Sequence, residues 1–219
     1  TWEEEPVLSA EDDLENGAKE IVFVEETDAQ VVEERIQRNL GEMKPSVESN
    51  YAFKSHAQER INAAGDYAVI AKIENPSYMG YELSATSVTY SDRWDKVYIS
   101  YHTNGAPYVG ALECYDVSDL SNPSLVSIYK SSNLEYNDVH LARGSASSRH
   151  KNLFTAGNTD YDNNSYYSIF HRFELSDDGN LLFGEDYMTS KYLEYGTASA
   201  VMKYNEYVYL ASSGTDGKL

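Results

Sequence analysis

Residues 96–119 read KVYISYHTNGAPYVGALECYDVSD, and this text returns along the chain. Val97-Tyr98-Ile99-Ser100 recurs as Leu153-Phe154-Thr155-Ala156 and as Val208-Tyr209-Leu210-Ala211, at offsets of 56 and 55 residues. Tyr115-Asp116-Val117-Ser118-Asp119 recurs as Phe173-Glu174-Leu175-Ser176-Asp177, offset 58. Upstream of each VYIS-type run stands a small-polar-Val segment: Thr86-Ser87-Val88, Asn137-Asp138-Val139 and Ser199-Ala200-Val201. Asn75-Pro76-Ser77 before Tyr81 echoes Asn122-Pro123-Ser124 before Tyr129. Several independent signatures keep one order at one period, so the repeat is real.

Each unit reads as four short strands bounded by turn residues. The first set is expected at 84–90, 96–102, 109–117 and 124–130, the second at 136–142, 152–157, 166–175 and 181–187. Ser91-Asp92-Arg93-Trp94-Asp95 joins strands one and two of the first set. Asp177-Asp178-Gly179-Asn180 joins three and four of the second as a hairpin. One small sheet cannot bury both faces until neighbours stack around a ring, so a repeat of this length built from four antiparallel strands predicts a β-propeller. Helical solenoids are excluded because the 3.6-residue period is missing, and a two-sheet sandwich gives no reason for in-order repetition. Residues 65–83 are expected to hold the last two strands of a unit and 198–219 the first two. That makes about two full blades plus two half blades, too few to close a propeller. The chain is therefore expected to be a fragment continuing past Leu219, with 198–219 not paired to 65–83. The open edges would stand exposed or be covered by the N-terminal segment.

The stretch ALECYDVSDLSNPSLVSIY (111–129) resembles the LVIVD repeat of bacterial and archaeal surface proteins, whose units read strand, DVSDPSNP, strand. SIFHRFELSDDGNLLFGEDY (168–187) departs from it: Glu174 stands in place of the Asp, and the Asn-Pro is absent. The resemblance spans 65–219. It implies an all-β, extracytoplasmic or cell-surface propeller, and brings no general catalytic assignment.

Composition sets the outer bounds. The chain has 219 residues, 17 Lys and Arg against 36 Asp and Glu, a net charge of −19, and a mean hydropathy of −0.57. Such acidity argues against binding a phosphate backbone, which needs clustered Lys and Arg. No run of about 18 apolar residues is present to cross a membrane as a helix. One cysteine, Cys114, excludes an intrachain disulfide and any multi-cysteine zinc site. Residues 1–50 carry 15 acidic and 4 basic residues, and all 20 Tyr follow residue 50. The domain reading is an acidic N-terminal segment, 1–50, before a partial propeller, 51–219. The core must lean on Tyr, whose ring buries well when its hydroxyl finds a partner. Within the acidic segment, Thr27 to Gln30 fits a capping box, Val32, Ile36 and Leu40 recur four apart, and Gly41 stands at C′, predicting a short helix. Residue 1 is Thr and no apolar run of a signal peptide follows it, so surface anchoring is expected to rest with a missing N-terminus.

Chemistry is sparse. Asp116 and Asp119 sit at a strand end before a turn, where Asp and Ser cap backbone N–H groups, and their recurrence once per unit marks a structural role. Asp160, Asp162 and Asn164 alternate as oxygen donors in a manner suited to Ca²⁺. The EF-hand pattern would then need Gly and Glu where the chain has Ser165 and His171. Asn137, Asp138 and His140 fall on a first strand, which in propellers lines the central channel, and are the candidate ligand-binding residues. The five histidines make no HxH, HxxxH or HExxH spacing, and no GxSxG, GxGxxG or Walker loop is written. Cys114 among apolar neighbours reads as an inert buried thiol. Tyr161, Tyr166 and Tyr167, and Tyr101, His102 and Tyr108 one unit earlier, are aromatic groups that could meet a glycan or protein ligand, or pack between blades. The expectation is a non-catalytic interaction module without cofactor. Its rival is a propeller-scaffold hydrolase or lyase whose site is completed by blades absent from the chain.

Overall fold

The computed structural model describes residues 23–25, 35–38, 71–142, 151–162, 165–204 and 207–212. Among these the chain is all-β, and every strand pair is antiparallel. In chain order the strands are β1 (Phe23–Glu25), β2 (Ile36–Arg38), β3 (Ala71–Ile73), β4 (Ser77–Tyr78), β5 (Tyr81–Glu82), β6 (Ser84–Ser91), β7 (Lys96–His102) and β8 (Gly110–Asp116). They continue as β9 (Ser124–Ser131), β10 (Leu134–Leu141), β11 (Asn152–Asp162), β12 (Ser165–Glu174), β13 (Met188–Tyr195), β14 (Ala198–Tyr204) and β15 (Tyr207–Ser212). The first sheet runs β9-β8-β7-β6 with β1 added outside β9; the second is β10-β11-β12-β13; β14 and β15 form a hairpin. Neither four-stranded sheet closes on itself.

The first sheet follows the sequence reading within a residue or two, because its turns are written in Asp, Asn and Pro. Asp116 Oδ1 accepts from Ser118 N at 2.9 Å, and Asp119 Oδ1 from Ser121 N at 3.0 Å, the Asx turns expected of the motif. The second sheet departs in its fourth strand. Residues 181–187 are not a strand: a single bridge joins Leu175 to Leu181, and Glu185–Tyr187 is a 3-10 turn. The fourth strand starts at Met188 and pairs back on β12 from Phe173. The reason lies in the turn before it, which the first sheet grips. Tyr98 Oη donates to Gly179 O at 2.6 Å and Trp94 Nε1 to Asp177 O at 2.8 Å. Gly179 has φ +79, and a Cβ there would lie 2.6 Å from the Trp94 ring. The turn is thus spent on sheet-to-sheet contact.

Alternation places one face of each sheet against the next. Tyr98, Leu112, Cys114 and Tyr129 of the first sheet bury against Leu134, Val139, Leu153 and Phe173 of the second. The other face of the second sheet, through Phe154 and Ala156, packs on Ala198, Val201 and Leu210 of the hairpin. The order is first sheet, second sheet, hairpin. Strand β10 lies beside both β6 and β14, so the first strands of the three repeats are neighbours.

The N-terminal segment differs from expectation. Residues 36–38, inside the stretch read as a helix, form β2, which pairs with β3; the rest of 27–41 lies outside the described residues. Residues 71–83 therefore do not supply two strands of a repeat unit: β3 joins β2, and β4 joins β5. Among the described residues, 198–212 makes no strand pair with 71–83, as expected, and β1 of the acidic segment pairs with the β9 edge of the first sheet rather than with either of those end segments. Arg35 explains the docking. Its Nη1 and Nη2 donate to both oxygens of Glu113, which has no exposed surface, at 2.9 Å, and its Nε donates to Glu74 O at 3.0 Å. Tyr115, fully buried, donates to Glu113 Oε2 at 2.9 Å, giving one of the Tyr hydroxyls the partner its burial requires.

Candidate functional site

A β-bulge interrupts all three first strands at the same repeat position. Pairing skips from Ala85 to Ser87 in β6, from Tyr136 to Asp138 in β10, and from Ala198 to Ala200 in β14. The residues left over are Thr86, Asn137 and Ser199, the leading residues of the three small-polar-Val signatures. A bulge re-aims its extra side chain, and here it aims each toward the neighbouring repeat. Thr86 Oγ1 donates to Tyr136 O at 2.8 Å, and Asn137 Nδ2 donates to Ala198 O at 3.0 Å. In both cases the acceptor is the carbonyl just before the next bulge. Thr86 and Ser199 also share a contact within their own unit, to Ser100 O at 3.0 Å and to Ala211 O at 3.4 Å, which are equivalent positions.

The three bulged residues line one open cleft of about 630 Å³, with His102, Tyr108, Glu135 and Asn158 among its walls. Glu135 is the charge at its floor, 3% exposed. It fits there because Gly110 and Gly157 flank it: a Cβ on Gly110 would lie 2.7 Å from Glu135 Cα, and one on Gly157 would collide with the Glu135 carbonyl. Burial pushes the Glu135 carboxyl above the ordinary carboxylate range, against the pull of the Gly105 N–H, His102 and Asn158. Its Oε2 accepts from Gly105 N at 3.1 Å and its Oε1 from Asn158 Nδ2 at 2.9 Å.

The network fixes a tautomer. Ala198 O can only accept, so the Asn137 amide nitrogen faces it, and Asn137 Oδ1 faces His102 Nδ1 at 2.9 Å. His102 Nδ1 therefore carries a proton, and in the neutral ring Nε2 is the acceptor. Asn137 Nδ2 also reaches Asn158 Oδ1 at 3.3 Å, completing a chain of donors from His102 to Glu135. Such a cleft can orient polar ligand groups, with His102 Nε2 as a hydrogen-bond acceptor in the neutral ring.

Of the residues proposed from sequence, Asn137 stands in this cleft. Asp138 does not line it: its Oδ2 accepts from Val201 N at 2.8 Å and ties β10 to β14. His140 also lies outside, paired in register with Phe154. Asp160 and Asp162 are on strand β11 rather than in a loop, and Asn164 lies outside the described residues. Among the described residues no group of three or more His, Cys, Asp or Glu is placed to hold a metal ion. His102 and Tyr108 line the cleft, whereas Tyr101 is buried. Cys114 is buried and burial pushes its thiol up to about 12, as an inert thiol requires. No helix among the described residues is long and apolar enough to cross a membrane. Sequence reasoning missed Glu135 and Asn158. The available signal was an acid set between Leu134 and Tyr136 in an otherwise apolar strand start. No family model, curated protein or solved structure matches the chain.

Proposed function

We propose that the chain is part of a β-propeller serving as an extracytoplasmic interaction module, and that its ligand, a glycan or a protein segment, binds at the cleft where β6, β10 and β14 converge. One observation carries this reading: the same bulged position of three successive repeats delivers Thr86, Asn137 and Ser199 to one cleft. Propellers place ligands at the end of the channel that their first strands surround. The LVIVD-like units favour a location outside the cytoplasm. The test is a screen of glycan and peptide panels, repeated with His102→Ala and Tyr108→Ala, whose side chains face the cleft. A ligand lost at least tenfold by both variants, with unchanged circular dichroism, supports the reading. A ligand indifferent to both contradicts it.

The rival, a hydrolase or lyase, has one observation in its favour. An Asn-oriented imidazole and a buried carboxylate share the cleft, and catalytic His residues are commonly oriented through the other ring nitrogen in this way. Turnover of a bound ligand that His102→Gln abolishes would select that reading over simple binding.

A further inference from the structure

Glu135 is out of keeping with its own repeat. Asn158 follows His102 at the offset of 56 that separates β7 from β11, so the pairings Ser84↔His102 and Glu135↔Asn158 are equivalent. Glu135 therefore stands where the first unit has Ser84 and the third has Thr197, each two residues before its bulged residue. A hydroxyl serves this position in two units. A buried carboxylate costs far more to desolvate than a hydroxyl, so the architecture of the repeat does not account for the acid. The donors on the cleft floor are already engaged. Asn158 Nδ2 and Gly105 N donate to the Glu135 oxygens, Asn137 Nδ2 to Ala198 O, His102 Nδ1 to Asn137 Oδ1, and Thr86 Oγ1 to Tyr136 O. Acceptor capacity is left over. A carboxylate has about four lone-pair sites, more than the Gly105, Asn104 and Asn158 donors fill. His102 Nε2 is a second acceptor in the neutral ring. Among the described residues that line the cleft there is no Lys or Arg.

We propose that the cleft recognises a basic side chain, Lys or Arg, presented by a protein segment, with Glu135 as its counter-charge. This rests on the reading of the cleft as the ligand site. An ammonium or guanidinium group carries only donors, which is what a floor of engaged donors and remaining acceptors calls for. A sugar hydroxyl both donates and accepts, and the engaged floor donors leave its acceptor side poorly met. Burial disfavours the ionised form of Glu135, and a cation seated against the carboxylate offsets that penalty. Tyr108 in the wall supplies an aromatic ring for an alkyl stem or a guanidinium plane. The net charge of −19 draws basic segments toward the protein before contact.

The test is fluorescence polarisation on the full chain with labelled Gly-Ser peptides bearing a central Lys, Arg, acetyl-lysine or citrulline. Glu135→Gln removes the charge and keeps the shape; Glu135→Ser restores the residue type of the first unit, and circular dichroism checks both folds. The Lys or Arg peptide is expected to bind, and its acetyl-lysine or citrulline counterpart to bind roughly tenfold or more weakly, the scale of a lost charge-assisted hydrogen bond. Both Glu135 variants should lose affinity for the basic peptide by a similar factor. Removing one of 36 acidic residues leaves the long-range attraction nearly intact, so that loss reports contact with Glu135. Equal binding of charged and uncharged peptides, equal binding by wild type and both Glu135 variants, or no binding of any basic peptide would overturn the proposal. A glycan or peptide weakened by His102→Ala and Tyr108→Ala but by neither Glu135 variant would overturn it and leave the cleft as the ligand site. A ligand indifferent to every variant would overturn both.

Discussion

Asn137 donates to the carbonyl of Ala198 at 3.0 Å, across the gap between the first strands of two successive repeats. The same side chain holds His102 and reaches Asn158, so one residue joins the stacking of the repeats to the shape of the cleft. Asn137→Ala should therefore cost about 1–3 kcal/mol, the range for leaving buried partners unsatisfied. Thr86→Val, which keeps volume and loses the equivalent donor, should cost about 0.5–1.5 kcal/mol. Urea unfolding of both variants checks the values and their order.

Arg35 is the point where the acidic N-terminal segment is held. Arg35→Met removes the partner of a carboxylate with no exposed surface, and should destabilise by about 3–5 kcal/mol. Arg35→Met with Glu113→Gln should recover much of that loss, since no buried charge is then left alone. Denaturant midpoints of the single and double variants decide this, and equal losses in both would speak against the pair.

Gly179 should not tolerate a side chain. Gly179→Ala combines a positive φ with an overlap against the Trp94 ring, and should cost about 1–3 kcal/mol. Tyr98→Phe removes the hydroxyl bonded to the same turn and should cost about 0.5–1.5 kcal/mol. Thermal melts of the two variants should both fall, Gly179→Ala further.

His171 predicts part of the acid sensitivity. It is fully buried against Tyr136 and Phe173, and burial lowers its pKa from 6.5 to about 3. Between those values the unfolded chain binds this proton and the folded chain does not. Stability is thus lost progressively as pH falls from about 6.5 to about 3. His171→Leu should flatten that part of the curve, as urea midpoints measured across this range would show. An unchanged slope would mean that other groups carry it.

The sequence revealed the first sheet because its turns are local chemistry: Asn-Pro, Asp-Ser and Asp-Arg-Trp-Asp need no distant partner. It failed at the fourth strand of the second sheet, which the repeat period placed at Leu181 to Tyr187, beginning with the apolar run Leu181-Leu182-Phe183. There Tyr98 and Trp94, some 80 residues away, claim the turn. Ile36 misled in a similar way. Its spacing to Val32 and Leu40 suits a helix, yet burial beside Tyr115 and the Arg35–Glu113 pair make the segment extended. Asn137 was legible as a first-strand polar residue. Glu135 was not, because its place depends on a bulge and on glycines from two other strands.

The account rests on successive repeats placing their first strands side by side. A crystal structure of the chain tests this most directly. The account predicts β6, β10 and β14 adjacent, with Thr86 bonded to the Tyr136 carbonyl, Asn137 to the Ala198 carbonyl, and both facing the cleft with His102. Two sheets closed on each other as a sandwich, with Thr86 and Asn137 on opposite sides and no bond between the first strands, would contradict it.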